Sequence, residues 1–189
     1  MPTKGHEIAT IDVVMVTVSV TDGEELGLTT ASKIQVDPQI ETTEAIKLII
    51  KNVLVAQKRE SSTLTGNTLK LTDNVFNPDL VKILQGGTIE EDEDGNITGY
   101  TPPAAGEAID LKPFTLNVYS AQYDASGLIV RYEKTEYPNC TGQPISMSSE
   151  DNVFRVPEYT IISAPNKGEP PYKMTYVKEL PVLTSAASA

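Results

Sequence analysis

A chain of 189 residues has the length of one domain, read here as spanning residues 1–189, and can bury a core of its own. Only 39% of residues are hydrophobic and 6% aromatic, with no tryptophan, so that core has to be built from Val, Ile and Leu. The net charge of −11 excludes sequence-reading binding of DNA or RNA, because such a surface repels phosphate.

In chain order, the first patterned segment covers residues 8–20. Val14, Val16, Val18 and Val20 alternate with Val13, Met15, Thr17 and Ser19, which is the period of a strand with one apolar and one mixed face. Branching at Cβ favours a pleated strand over a helix. A polar connection over residues 21–25 follows, then an extended piece at residues 33–36 that ends at Asp37-Pro38, a turn or a strand edge. Residues 45–58 form the longest patterned stretch. Ile46, Leu48, Ile50 and Leu54 share one face, and Ile49, Val53 and Val55 lie on the other with Lys47, Lys51 and Gln57. A helix competes there, but the β-branched content and the later Leu69-Lys70-Leu71 favour a long hairpin. Its tip is placed at the polar stretch Glu60, Ser61, Ser62, Thr63, Leu64 and Thr65, with Gly66-Asn67 on the return side.

The clearest helix covers residues 78–85. Asn77 can cap its free N–H groups, Pro78 fits the first helical position and Asp79 suits the positive end. Leu80, Val81, Ile83 and Leu84 supply an apolar stripe, and Gly86-Gly87 stops the helix. Residues 88–100 read as a hairpin turning at Asp94-Gly95, and residues 101–106 as a Pro-rich loop. Further strands are expected at residues 114–119, 128–135, 153–162 (with a bulge or edge at Pro157) and 173–177. The termini, about residues 1–6 and 183–189, read as flexible. No repeat or linker divides the chain.

Few residues here carry chemistry. Cys140 is the only cysteine, so no intrachain disulfide forms, and a reducing compartment is expected. The opening residues lack the apolar run of a secretion signal, and no run is long enough to span a bilayer. His6 is the only histidine and lies near the N-terminus, which leaves no Ser-His-Asp, Cys-His or multi-histidine set to assemble around it. The acidic run Glu90, Glu91, Asp92, Glu93, Asp94 followed by Gly95 invites a calcium-loop reading. It fails at both ends: position one is Glu90, position twelve is Thr101, and Pro102-Pro103 blocks the following helix. A solvated hairpin tip or a channel-facing acidic loop fits better. Gly86-Gly87 has no phosphate-loop lysine after it. No enzyme and no cofactor is expected.

The stretch KLIIKNVLVAQKRESSTLTGNTLKLTDNVFNPDLVKILQGG, residues 47–87, resembles the major tail tube proteins of bacteriophages in its sequence of parts. A long strand pair leads into Leu69-Lys70-Leu71-Thr72-Asp73, Asn77-Pro78 opens a short helix, and Gly86-Gly87 closes it. A variable acidic hairpin and a Pro-rich loop follow. The resemblance implies a mainly β fold, a β-sandwich or rolled sheet with one short helix. It implies a structural virion protein that forms stacked hexameric rings, hence a tail tube through which DNA passes. The partners implied are further copies of the chain, other tail proteins such as tape measure, terminator or baseplate, and duplex DNA that slides by without specific binding. An acidic lumen suits such sliding, because adhesion of duplex DNA depends on cationic contacts. The implied place is the virion tail, assembled in the bacterial host cytoplasm, with no membrane. The inner tubes of contractile bacteriocins and secretion systems share this plan.

On that reading, a strand with apolar residues on both faces needs a neighbouring subunit to cover it, so Val14, Val16, Val18 and Val20 are the expected subunit contact. Residues 60–65 are the expected inter-ring tip, and residues 90–94 face the lumen or a loop. Two other readings compete: a β-sandwich binding or decoration module of a phage particle, and, less favoured, a hydrolase using paired carboxylates.

Overall fold

The computed structural model describes residues 9–20, 25–109 and 111–183. Strand β1 is Ile11–Val20, and β2, Glu25–Leu28, folds back along it with Leu28 opposite Val16. An antiparallel excursion follows through β3 (Ala31–Thr43), β4 (Ile46–Ile50), β5 (Val53–Lys58) and β6 (Ser61–Asp73). Helix α1 is Pro78–Gln85, and β7 (Thr88–Glu91) with β8 (Ile97–Thr101) makes a separate hairpin. The chain closes with β9 (Phe114–Tyr123), β10 (Ile129–Gly142), β11 (Glu158–Ser163) and β12 (Lys173–Val177).

The fold is mainly β, with one helix among the described residues and antiparallel sheets. Seven strands of the main sheet run in the order β2-β1-β9-β10-β11-β6-β3, and β12 adds to β10. Although β1 and β3 are far apart in that order, they pack against each other, so the sheet rolls over on itself. It does not close into a barrel. Val16, Val18, Leu69, Leu71, Leu116 and Ile161 fill the roll. Leu80, Val81 and Leu84 of α1 are fully buried at its side. A helix of two turns is not stable alone, and here its apolar stripe leans on the sheet. The predicted punctuation is present: Asn77 Oδ1 accepts from Leu80 N at 3.1 Å, and Gly86, at φ 76°, donates its N–H to Lys82 O at 2.9 Å. Gly142 of β10 lets α1 sit close, because a side chain there would run into the Leu84 backbone.

Strand β10 forks the sheet. Tyr132 to Glu136 pair with β12, whereas Cys140 to Gly142 pair with β11. The change falls at a register shift after Tyr137, where Asn139 takes φ 47°. A strand was expected to end near residue 135; it runs on to Gly142 because this bulge absorbs Pro138 instead of stopping at it. Pro38 likewise lies within a strand, at the sheet edge formed by β3. The expected strand over residues 153–162 begins only at Glu158. Residues before it form a loop whose neck is the bridge between Ser146 and Glu158.

One further expectation changes. Val16 and Val18 are not a subunit contact: both are completely buried in the chain's own core, and Val20 and Val14 are half-buried. Strand β1 lies between β2 and β9, paired with β9 from Ile11 to Val20 and with β2 from Val16 to Ser19. Its other face is also covered from within at Thr17, where Asn117 Nδ2 donates to Thr17 Oγ1 at 3.1 Å and Leu183 lies against the neighbouring Gly27. The flexible-terminus readings at residues 1–6 and 184–189, and His6 with them, lie outside the described residues.

Cys140 is buried in the core, its Sγ donating to Tyr137 O at 3.3 Å. Burial pushes its thiol up to about 11 and the Tyr137 hydroxyl up to about 12. Both groups ionise more readily in the unfolded chain, so alkali favours unfolding. The stability they support is intact below pH 9, the ordinary value for Cys, and drains away as the pH rises through about 11 and then about 12. Denaturant titrations at stepped pH are expected to show this loss, with Cys140 unreactive to a thiol reagent at pH 8 until the chain unfolds.

Candidate functional site

Strands β3 and β6 pair from Ala31 opposite Asp73 out to Thr43 opposite Ser61, and the pairing resumes in β4 and β5 with Ile46 opposite Lys58. The two segments form one long excursion, and its outer part leaves the core entirely. Every residue from Pro38 to Leu64 is exposed. At about 3.4 Å per residue the arm beyond Pro38 extends roughly 40 Å.

Local chemistry explains each part. The β-branched Ile46, Ile49, Ile50, Val53 and Val55 favour extended backbone. Between Ile50 and its partner Val53 only Lys51 and Asn52 remain, at φ 48° and 64°. Two consecutive positive φ values make the two-residue hairpin turn whose twist matches the strands, and Asn tolerates that conformation well. The neck is tied by hydroxyls: Thr43 Oγ1 and Ser61 Oγ lie 2.7 Å apart, Thr42 Oγ1 and Ser62 Oγ 3.2 Å apart, and Thr65 Oγ1 donates to Gln39 O at 3.1 Å.

This geometry corrects the predicted tip. Glu60, Ser61, Ser62, Thr63, Leu64 and Thr65 do not form a turn; from Ser61 onward they are the first residues of β6, paired with β3. The turn sits about ten residues earlier, because Lys51-Asn52 can adopt the tight left-handed pair while the Ser/Thr run hydrogen-bonds across the ladder. The faces change as well. Ile46, Leu48, Ile50 and Val53 share one face with Ala56 and Lys58. Ile49 and Leu54 share the other with Lys47 and Gln57, and Val55 is the extra residue of a bulge.

Both faces are therefore apolar, and among the described residues neither has a partner. Ile46 is 67% exposed, Val53 63% and Ile49 59%, with Leu48, Ile50, Leu54 and Val55 all above half. Together the seven expose on the order of 800 Å², about what one partner contributes to a standard protein interface. An exposed apolar surface of this size marks an interaction site. Ile40 and Leu64 extend it down the arm. The alternation over residues 45–58 was legible as an amphipathic problem; that none of the described residues covers it was not.

The acidic run is placed at the tip of the β7–β8 hairpin, where Glu90, Glu91, Asp92, Glu93 and Asp94 are all exposed. Asp92 organises the turn: its Oδ1 accepts from Asp94 N at 3.0 Å and Asn96 N at 2.7 Å, and Asn96 Nδ2 reaches both its oxygens. These hydrogen bonds, that of the Asn96 side chain first, hold its carboxyl below the usual value. Thr101 Oγ1 donates to Glu90 Oε1 at 3.2 Å across the hairpin, so the two ends of the would-be calcium loop are cross-strand neighbours. The run and the β4–β5 arm lie on separate two-stranded sheets.

Two smaller apolar surfaces had no sequence forecast. The turn end of β9–β10 exposes Leu128, Ile129 and Val130, and the loop before β11 holds out Phe154 at 93% exposure. In that loop Arg155 Nη2 donates to Ser149 Oγ at 2.7 Å and Val153 N to Glu150 O, which orders the backbone around the ring. Its signal, a Val-Phe-Arg-Val run, was absorbed into a predicted strand.

No protein-family model matches the sequence, and no curated protein matches it. Among solved structures, the chain is similar to one from the six-fold symmetrised cryo-EM structure of the anti-feeding prophage baseplate, at 10% identity and a TM-score of 0.36, covering 94% of this chain and 98% of that one. It is similar to a chain of the anti-feeding prophage cap, described as a tube-terminating cap, at 11% identity and a TM-score of 0.41, covering 93% of this chain and 95% of that one. Both likenesses are distant ones, to components of the anti-feeding prophage.

Proposed function

We propose that the chain is a non-catalytic structural subunit that assembles with copies of itself into stacked rings, forming the tube of a phage-tail-like particle. The observation that carries this reading is the β4–β5 arm, apolar on both faces and outside the core. A surface of that kind is costly to leave in water and is stabilised when a neighbour covers it. The open sheet edges at β2 and β3 are further places where copies can pair. Repeated contact of one surface with a different one on the next copy closes into a ring or extends into a filament, which is the geometry a tube needs. The net charge of −11 suits a tube whose lumen does not hold passing DNA. The proposal includes hexameric rings, a place in the tail, and contacts with tail proteins at the ends of the tube. It covers a phage tail and the inner tube of a contractile injection system alike.

Negative-stain electron microscopy of the purified chain over a range of concentrations tests this. Hollow tubes or six-fold rings are expected. A chain that sediments as a monomer at every concentration and binds glycans would favour a binding or decoration module instead.

A further inference from the structure

The β4–β5 arm is unusual in charge as well as in apolar content. Residues 45–59 hold Lys47, Lys51, Lys58 and Arg59 and not one carboxylate. The chain's net charge is −11, so with those four positive charges set aside the remaining residues sum to −15. All four cations are exposed, and among the described residues none is in an ion pair. Lys47 lies beside Ile49 on one face, Lys58 lies opposite Ile46 on the other, and Lys51 sits in the turn. The outer arm is thus cationic and greasy, with Glu41, Glu44 and Glu60 at its base, on a chain that is otherwise strongly acidic.

From this we infer that the arm of one copy docks on the acidic body of a second copy, with the lysines choosing the surface and the Ile, Leu and Val side chains supplying the contact area. The inference rests on the self-assembly reading and adds to it the chemistry of the acceptor. Two facts make a second copy the occupant. The charge is complementary, since the rest of the chain sums to −15 against the arm's four cations. The exposed apolar area of the arm is also what one side of a stable interface supplies. Opposite charge steers encounter and sets orientation, while burial holds the complex. The same partition disfavours docking of arm on arm, which would oppose lysine to lysine.

The test uses the full chain carrying Lys51→Cys, labelled with a benzophenone maleimide. Native Cys140 is buried, so the label goes to the turn. Photolysis of assembled material is expected to join the arm to the body of a second copy, located by mass spectrometry. Association measured by sedimentation should weaken about tenfold or more between about 50 mM and 500 mM salt. Lys47→Glu with Lys51→Glu and Lys58→Glu should weaken it by about a hundredfold or more, and the corresponding Gln variant by an intermediate amount. Association indifferent to salt and to charge reversal overturns the inference. So does an arm that cross-links only to lipid when phosphatidylglycerol vesicles are present. Rings or tubes that form without any arm-to-body cross-link overturn the docking alone and leave self-assembly standing. A chain that stays monomeric throughout overturns both.

Discussion

Ile49→Glu combined with Leu54→Lys is expected to abolish rings and tubes while leaving the melting temperature of the isolated chain within about 2 °C of the parent. The two residues face each other across β4 and β5, are 59% and 52% exposed, and touch no part of the core cluster. Opposite charges at a cross-strand pair support the hairpin, so the arm keeps its shape and its net charge. Surface substitutions of this kind change stability by about 0.5 kcal/mol or less. Covering the same pair with a neighbouring subunit would strand two charged groups in an apolar contact, which costs several kcal/mol unless they are well paired there. Circular dichroism melting and electron microscopy on one preparation separate the two effects. Persistence of normal tubes in this variant would mean that the arm is not the contact.

Val16→Asp is expected to do the opposite, unfolding the chain before assembly becomes a question. Val16 is completely buried between Leu28 of β2 and Val118 of β9. An unpaired carboxylate there costs about 4 kcal/mol or more, a large part of the 5–15 kcal/mol that holds an ordinary domain together. Insoluble expression, or loss of the cooperative melt in whatever is soluble, is the expected readout. Val16→Ala should retain the fold with a loss of about 2–3 kcal/mol, from lost burial and the cavity left behind. A folded, soluble Val16→Asp chain that merely fails to assemble would restore β1 to the interface and contradict the burial described here. Together the two variants divide the apolar residues into those that make the subunit and those that join subunits.

Period-two alternation identified β1 and β9, because a side chain's face on a strand depends only on its position parity. The helix was legible almost to the residue for a similar reason. Asn77, Pro78, Asp79 and Gly86 act on backbone groups within one turn, so their effect needs no knowledge of the rest of the chain. The acidic hairpin at residues 90–94 was also local, with Asp92 bonding atoms two and four residues away.

What alternation could not say is which apolar face meets the core. Val13 to Val20 and Ile46 to Val55 look alike as sequence, and the first was chosen as the exposed one. Strand pairing over long separations reverses that choice: β1 is flanked by β2 and β9 and buried on both faces from Met15 to Val18, whereas among the described residues β4 and β5 pair only with each other. The hairpin turn moved for a related reason, since polar Ser and Thr serve a ladder as well as a turn, and only the register of β3 on β6 decides between them. The amino-acid sequence by itself determined the element types, the helix caps and the amount of apolar surface. Tertiary structure alone decided where that surface ends up, because burial is a property of contacts between residues far apart in the chain.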